Sequence, residues 1–204
     1  MIQLNKYFKI ITMIIIYGLG NNEPKFLNTK HNIGRDIVTK LADNEGLEFK
    51  RVKNLMIAKS QNSNHNITYA YSCDYMNTSG KFLGEYISFI KPEELKLIII
   101  HDDSDQFEGC RKLSIGGSSG GHNGIKDIQN NEKKINITKD QLIRLKIGIR
   151  PEFNKGKSHD FVLNKYSKID EILIADTVNL VTVNLNYILE NKIDYLQNKF
   201  NTKL

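Results

Sequence analysis

The chain has 204 residues, 40% of them hydrophobic and 25% charged, with 29 Lys and Arg against 23 Asp and Glu for a net charge of +6. That length and apolar content fit one α/β domain with a buried core and exclude a disordered chain. Two cysteines, Cys73 and Cys110, are too few for a disulfide scaffold and show no paired metal-ligand spacing, so a reducing compartment is expected.

Of the basic residues 24 are Lys and five are Arg, and Lys, Asn and Ile together fill 75 positions. A/T-rich codons alone produce such a bias, so the charge permits a nucleic-acid partner without arguing for one. No run reaches the roughly 18 apolar residues of a membrane span. Residues 1–12 read as an N-terminal extension to a domain at 13–204. Lys6 and Lys9 precede an apolar stretch, as in a secretory signal, but no small-residue cleavage site follows. Met13 stands where the first strand begins, which leaves a mis-called start or a short organelle presequence as readings of 1–12.

In chain order, residues 14–17 form a β-branched strand covered on both faces, running into Gly18-Leu19-Gly20. Ile33, Ile37, Val38 and Leu41 fall at helical spacing over 31–41. Residues 55–58 and 67–73 pair as strands around a polar turn at 61–66. A helix over 82–90 places Phe82, Leu83, Tyr86, Phe89 and Ile90 on one face and stops before Pro92. Residues 97–100 are a second buried strand, ending at His101-Asp102-Asp103-Ser104-Asp105. A strand at 111–115 leads into a glycine-rich segment at 116–124, and a helix begins near Asn123. Residues 129–139 read as a polar loop, 142–149 as a strand, and 169–196 as one long or two helices. Alternating strands and helices predict an α/β sheet with helices on both faces and functional residues at the carboxyl ends of the buried strands.

Asn21 follows the first buried strand, and the acidic cluster follows the second. His31, ten residues after Asn21, begins a helix; it either caps that helix or, with a carboxylate fixing its tautomer, acts as a general base. Gly18-x-Gly20 opens a dinucleotide fingerprint, but Glu23 stands where the third glycine belongs, and no P-loop motif occurs, so no nucleotide cofactor is expected. The acidic cluster matches neither a zinc pattern nor a calcium loop, so no metal is expected. Gly116-Gly117-Ser118-Ser119-Gly120 satisfies the G-x-S-x-G nucleophile elbow between strand and helix, which makes a serine hydrolase using Ser118 the main rival reading. The same loop equally suits backbone N–H groups presented to a phosphate or carbonyl oxygen at a helix start. Asn21, Asn77 and Asn123 can each donate and accept through an uncharged amide.

Together the segments resemble the bacterial-type peptidyl-tRNA hydrolase family. The matching pieces are Gly18-Leu19-Gly20-Asn21, Thr29-Lys30-His31-Asn32-Ile33-Gly34, Tyr75-Met76-Asn77-x-Ser79-Gly80, His101-Asp102-Asp103-x-Asp105, Gly116-Gly117-Ser118-x-Gly120-Gly121-His122-Asn123-Gly124 and Arg144-Leu145-Lys146-Ile147-Gly148-Ile149, in family order. The resemblance implies a single α/β domain with a twisted, mixed, mostly parallel sheet flanked by helices. It implies metal-independent hydrolysis of the ester joining a peptide to the 3′ ribose of tRNA, without cofactor. His31 would activate water, Asp102 would stabilise its basic form, and Asn21 would help separate N-blocked from free aminoacyl-tRNA. Asn77 and Asn123 would bind substrate, with Phe26 and Tyr75 as aromatic contacts for its 3′ end. Lys112 and Lys146 would touch tRNA phosphate. Asn22-Glu23-Pro24 departs from the family's common Pro-Gly pair and Phe26 from Tyr, losing a phenol hydrogen bond; Ser114 departs from a basic residue and Lys146 from Arg, and these last two weaken the phosphate clamp that the resemblance implies. A monomer is expected, cytoplasmic, or mitochondrial if residues 1–12 are a presequence. A non-catalytic RNA-binding relative on the same scaffold is the other alternative.

Overall fold

The β-branched run expected to be buried on both faces forms β1 (Met13–Gly18) in the computed structural model, which describes residues 12–62, 65–138, 141–153, 156–190 and 192–204. The proposed N-terminal extension, apart from Thr12, lies outside the described residues, as does the tip of the 61–66 turn. Ile14 and Ile16 enter one core cluster while Ile15 and Tyr17 enter the other, the period-2 alternation of a strand buried on both sides.

Eight strands share one sheet among the described residues: β2 (Lys50–Val52), β3 (Leu55–Asn62), β4 (His65–Ser72), β1, β5 (Leu95–Phe107), β7 (Ile143–Arg150), β6 (Cys110–Ile115) and β8 (Thr202–Lys203), in that spatial order. The sheet is mixed. Its centre, β4-β1-β5-β7, is parallel, and both flanks are antiparallel. On one face lie α1 (Ile33–Asn44), α5 (Lys168–Val183) and α7 (Ile193–Phe200), burying Ile37, Val38, Leu173, Val178 and Phe200. On the other lie α2 (Ser79–Ile90), α3 (Asn123–Asn130) and α4 (Glu132–Ile135), burying Leu83, Tyr86, Ile125, Ile128 and Ile135. A short α6 (Leu185–Leu189) joins α5 to α7.

Several expectations need correction. β5 does not end at the acidic cluster. Pairing of His101, Asp102 and Asp103 with Lys146, Ile147 and Gly148 of β7 carries it on, with a register shift before Phe107; cross-strand pairing overrides the poor strand propensity of aspartate. The 129–139 loop instead contains α4, drawn onto the core by fully buried Ile135. In α2 it is Ile87 that is buried, while Phe89 is 64% exposed. The C-terminal region holds three helices where one or two were expected.

One contact sets the geometry of the site. A Cβ on Gly34 would lie 2.1 Å from the backbone oxygen of Ile100, so only glycine lets the first turn of α1 rest on β5. His31 is three residues before Gly34 and Asp102 two residues after Ile100, so this close approach brings the two side chains together.

Candidate active site

β1 and β5 are parallel neighbours, and the polar residues that follow them meet at their carboxyl ends. Leu19 continues the register by donating its N–H to the Ile100 carbonyl (3.0 Å). Asn21 is buried and held from three directions. Its N–H donates to Asn32 Oδ1 (2.8 Å), its carbonyl accepts from Asn32 Nδ2 and Arg35 Nη1 (both 2.9 Å), and its Oδ1 accepts from the Met76 N–H (2.8 Å). These contacts do not use the Nδ2 donors of Asn21.

His31 sits on a 3-10 turn, Lys30–Asn32, at the entrance to α1. Its Nδ1 lies 2.9 and 3.0 Å from the two carboxylate oxygens of Asp102, which is 2% exposed. The Nδ1 proton therefore points at the carboxylate and the lone pair resides on Nε2. Burial of the imidazole disfavours its charged form, but the Asp102 charge and hydrogen bond outweigh that and raise the His31 pKa above the ordinary histidine value. Burial acts on Asp102 in the opposite direction and is overcome by the two histidines beside it, so the carboxyl is held well below its usual range.

The second histidine is His122, whose Nε2 is 2.8 Å from Asp102 Oδ1. Its Nδ1 accepts from the N–H groups of Gly124 and Ile125 (3.2 and 3.4 Å), making it the N-cap of α3. Behind it His101 is buried. Its Nδ1 donates to the Asp102 carbonyl (2.5 Å) and its Nε2 accepts from Arg144 Nε (3.2 Å), so it is neutral; burial first, and then the neighbouring His122 ring and the Arg144 charge, push its pKa far down. Arg144 Nη1 also donates to the carbonyls of Ser118 and Gly116 (2.7 and 3.3 Å). It thereby holds the glycine-rich loop, where Gly116, Gly117, Gly120 and Gly121 all have positive φ.

A cavity of about 210 Å³ opens over His31, Asp102 and His122, with Asn123, Arg144 and Lys146 in its wall. The other expected binding residues are set around it. Asn77 is exposed on the 3-10 turn Met76–Thr78, next to the residue that Asn21 binds. Tyr75, 48% exposed, lines a separate groove with Glu23 and Cys73, and half-buried Phe26 carries the Lys25 ammonium 4.8 Å from its ring centroid. Lys112 is exposed and lies directly opposite Lys146 across the β6–β7 ladder. Lys146 Nζ is 3.3 Å from Asp103 Oδ2, so part of its charge is already answered. Ser114 faces buried Arg144, and its hydroxyl lacks a hydrogen-bond partner among the described residues.

Ser118 is exposed and contributes its carbonyl to Arg144, and no hydrogen bond joins its hydroxyl to an imidazole among the described residues. A nucleophile elbow needs that bond. His31, Asp102 and His122 are the one group among the described residues dense enough to hold a metal ion. The set fits a metal poorly. Ligation through Nε2 of His122 would move its proton to Nδ1, against the two N–H groups of α3 that it caps.

Reading the sequence missed His122, His101 and Arg144. The available signal for His122 was its place between a glycine run and an apolar helical pattern, where an N-cap belongs. For Arg144 it was rarity: one of five arginines, in an apolar strand.

A family profile described as peptidyl-tRNA hydrolase matches residues 15–204. The chain is 32% identical over 190 residues to peptidyl-tRNA hydrolase of Rickettsia conorii, covering 92% of this chain and 99% of that protein, and equally identical over 189 residues to the one from Rickettsia bellii. Among solved structures it is similar to a peptidyl-tRNA hydrolase in complex with N-propanol (TM-score 0.78, 27% identity, 95% of each chain). It is also similar to the peptidyl-tRNA hydrolase of Acinetobacter baumannii (TM-score 0.77, 26% identity, 95% of each chain).

Proposed function

Because this chain belongs to the peptidyl-tRNA hydrolase family, we propose that it hydrolyses the ester between a peptide and the 3′ ribose of tRNA with His31 as the general base. The observation that carries this reading is His31 Nδ1 set on both oxygens of buried Asp102, which leaves Nε2 as the basic atom on the cavity. A water held by Nε2 attacks the ester carbonyl carbon while its proton passes to the imidazole. Collapse of the tetrahedral adduct breaks the bond to the 3′ oxygen, which takes that proton back from Nε2. Asp102 stays ionised and stabilises the imidazolium in between.

The remaining roles follow from placement and chemistry. Asn123, at the first turn of α3 on the cavity wall, supplies an amide donor to the carbonyl oxygen as charge develops there. Asn21, its Nδ2 not spent on the contacts that fix it, recognises the amide of an N-blocked substrate and helps reject free aminoacyl-tRNA. Asn77 extends that recognition, and Phe26 and Tyr75 stack on the 3′ nucleotides, which suits an enzyme serving all tRNAs. Lys112 and Lys146 meet tRNA phosphate. No step needs a metal or cofactor. The catalytic unit is residues 13–204, acting as a monomer in the cytoplasm; the bacterial relatives lend no support to a mitochondrial address. No described helix is long and apolar enough to cross a membrane.

The test is release of N-acetyl-amino acid from N-acetyl-aminoacyl-tRNA, compared with the unblocked form. Wild type releases the blocked substrate preferentially, and His31→Ala reduces turnover by about 10²–10⁴-fold without loss of fold. Full turnover by that variant ends the His31 reading. Binding of tRNA without turnover by wild type favours the RNA-binding alternative.

A further inference from the structure

We propose that Lys30 is the positioning residue for His31, a buried ammonium that pins the base-bearing turn to both α5 and the end of β5. The inference rests on the reading of His31 as the base. Lys30 is 3% exposed although it precedes a residue that lines the cavity. Its Nζ is 2.7 Å from Asp170 Oδ2 and also binds the Glu108 carboxylate.

Three segments converge on that one ammonium. Lys30 belongs to the His31 turn. Asp170 is fully buried in the first turn of α5, where it completes a capping box. Its Oδ2 accepts from the Ser167 N–H (2.8 Å) and hydroxyl (3.0 Å), and the Asp170 N–H donates to Ser167 Oγ (3.2 Å). Glu108 follows β5 directly, six residues after Asp102, and its N–H is fixed on the Arg150 carbonyl (2.9 Å). The strand that carries Asp102 and the turn that carries His31 are thus tied a second time, at a point separate from the imidazole–carboxylate pair.

The backbone around Lys30 is fastened to the same neighbouring segment. Its N–H donates to the Asn164 carbonyl (2.9 Å), that of His31 donates to the Val162 carbonyl (2.8 Å), and Thr29 bridges Lys165. These bonds fasten the main chain of the turn to residues 162–165, and Asn32 ties its far end to Asn21. The Lys30 side chain adds the tie those bonds lack, from the His31 turn to Glu108 after β5 and to Asp170 in α5, and so holds the His31 ring against Asp102. Asp170 Oδ1 has no hydrogen-bond partner among the described residues, and Lys30 is the cation set against that buried carboxylate. A buried ion pair of this kind is a poor device for stability and a good one for fixing register.

Lys30→Met alone would strand the fully buried Asp170 carboxylate, so the decisive variant is Lys30→Met with Asp170→Asn, which removes those two charges at similar volume and leaves Glu108, 14% exposed at its side chain, to solvent. Wild type, this double variant and Lys30→Arg are compared for melting temperature, kcat and KM on N-acetyl-aminoacyl-tRNA, and the His31 imidazole pKa by NMR. The double variant is expected to stay folded with KM within about threefold of wild type. Its kcat falls by about 10²-fold, as for an ångström-scale misplacement of a catalytic group, and its His31 pKa drops from the raised value. Lys30→Arg keeps both near wild type. A folded double variant with wild-type kcat and an unchanged His31 pKa overturns the proposal. Absence of turnover in wild type itself counts against the hydrolase reading, while the His31 pKa still decides the role of Lys30.

Discussion

His122 donates from Nε2 to Asp102 Oδ1 at 2.8 Å while its Nδ1 accepts the first N–H groups of α3. One ring thus joins the glycine loop, a helix start and the carboxylate that orients His31. Because Nδ1 faces N–H groups, the ring's proton belongs on Nε2, and His122 serves Asp102 as a donor and not as a second base. His122→Ala removes a donor that shares the Asp102 charge, which leaves that charge to act on His31 alone. The His31 pKa then rises further, and the acid limb of the kcat/KM profile moves to higher pH. Loss of the N-cap lowers stability by about 1 kcal/mol. A pH profile superimposable on wild type would contradict this arrangement.

Asp102→Asn has the opposite sign. Burial lowers the His31 pKa and the Asp102 charge raises it, so without the charge burial prevails. The acid limb moves to lower pH, while the plateau rate falls by about 10²–10⁴-fold because the imidazolium loses its counter-charge. Stability adds an independent check. The Asp102 carboxyl is depressed in the fold, so it contributes stability above its unfolded pKa of about 4, and that contribution is lost as pH falls toward the folded value. Thermal melts of wild type below pH 4 should therefore decline more steeply than those of Asp102→Asn; parallel curves would refute the linkage. His31 works the other way. Its raised pKa contributes stability below pH 6.5 that is lost as pH rises through the folded value, so the base becomes active in the window where its pairing stabilises least.

Gly34→Ala tests how the base reaches its partner. The new Cβ would meet the Ile100 backbone at 2.1 Å and the His101 Cα at 3.1 Å, neither of which is a flexible side-chain end. α1 must lift from β5 and take the His31 turn with it. We expect a loss of about 2 kcal/mol from overpacking and at least about 10²-fold in kcat, read from thermal melts and single-turnover release. Wild-type values for both would mean that the contact does not set the site.

How far the sequence carried depends on which force fixes each element. β1 and α1 were legible because their period-2 and helical spacings are local records of what they bury. The placement of Asn21 and Asp102 after buried strands was legible because parallel pairing puts those ends together, while the pairing of His31 with Asp102 was expected from the family resemblance and not from spacing. The extension of β5 through its aspartates, the short α4 and the edge strands β2 and β8 were not, since pairing and packing from distant segments create them against local propensity. The same holds in the site. His122 and Arg144 act through partners 20 and 43 residues away, Asp102 and His101, and neither spacing leaves a periodic trace. Lys30 looked like one lysine among 24 until the fold placed it against Asp170.

The final prediction concerns charge, which composition left ambiguous. Lys112 and Lys146 stand side by side across β6 and β7, but among the described residues only Lys146 of the two has a carboxylate, Asp103, at 3.3 Å. Asp103 is itself committed. Despite burial its carboxyl is held below the usual range, first by the Gln106 side chain and then by the Asp105 N–H and the Lys146 charge. Lys112 should then behave as an ordinary phosphate contact, so Lys112→Ala weakens tRNA binding and reduces the slope of log K against log salt by about 1. Asp103→Asn keeps an acceptor for Gln106 and releases Lys146, so it should strengthen binding at low salt and steepen that slope by up to about 1. Filter binding or fluorescence titration over a salt series reads both. If Asp103→Asn leaves the slope unchanged, Lys146 does not reach tRNA phosphate, and Lys112 carries the contact alone.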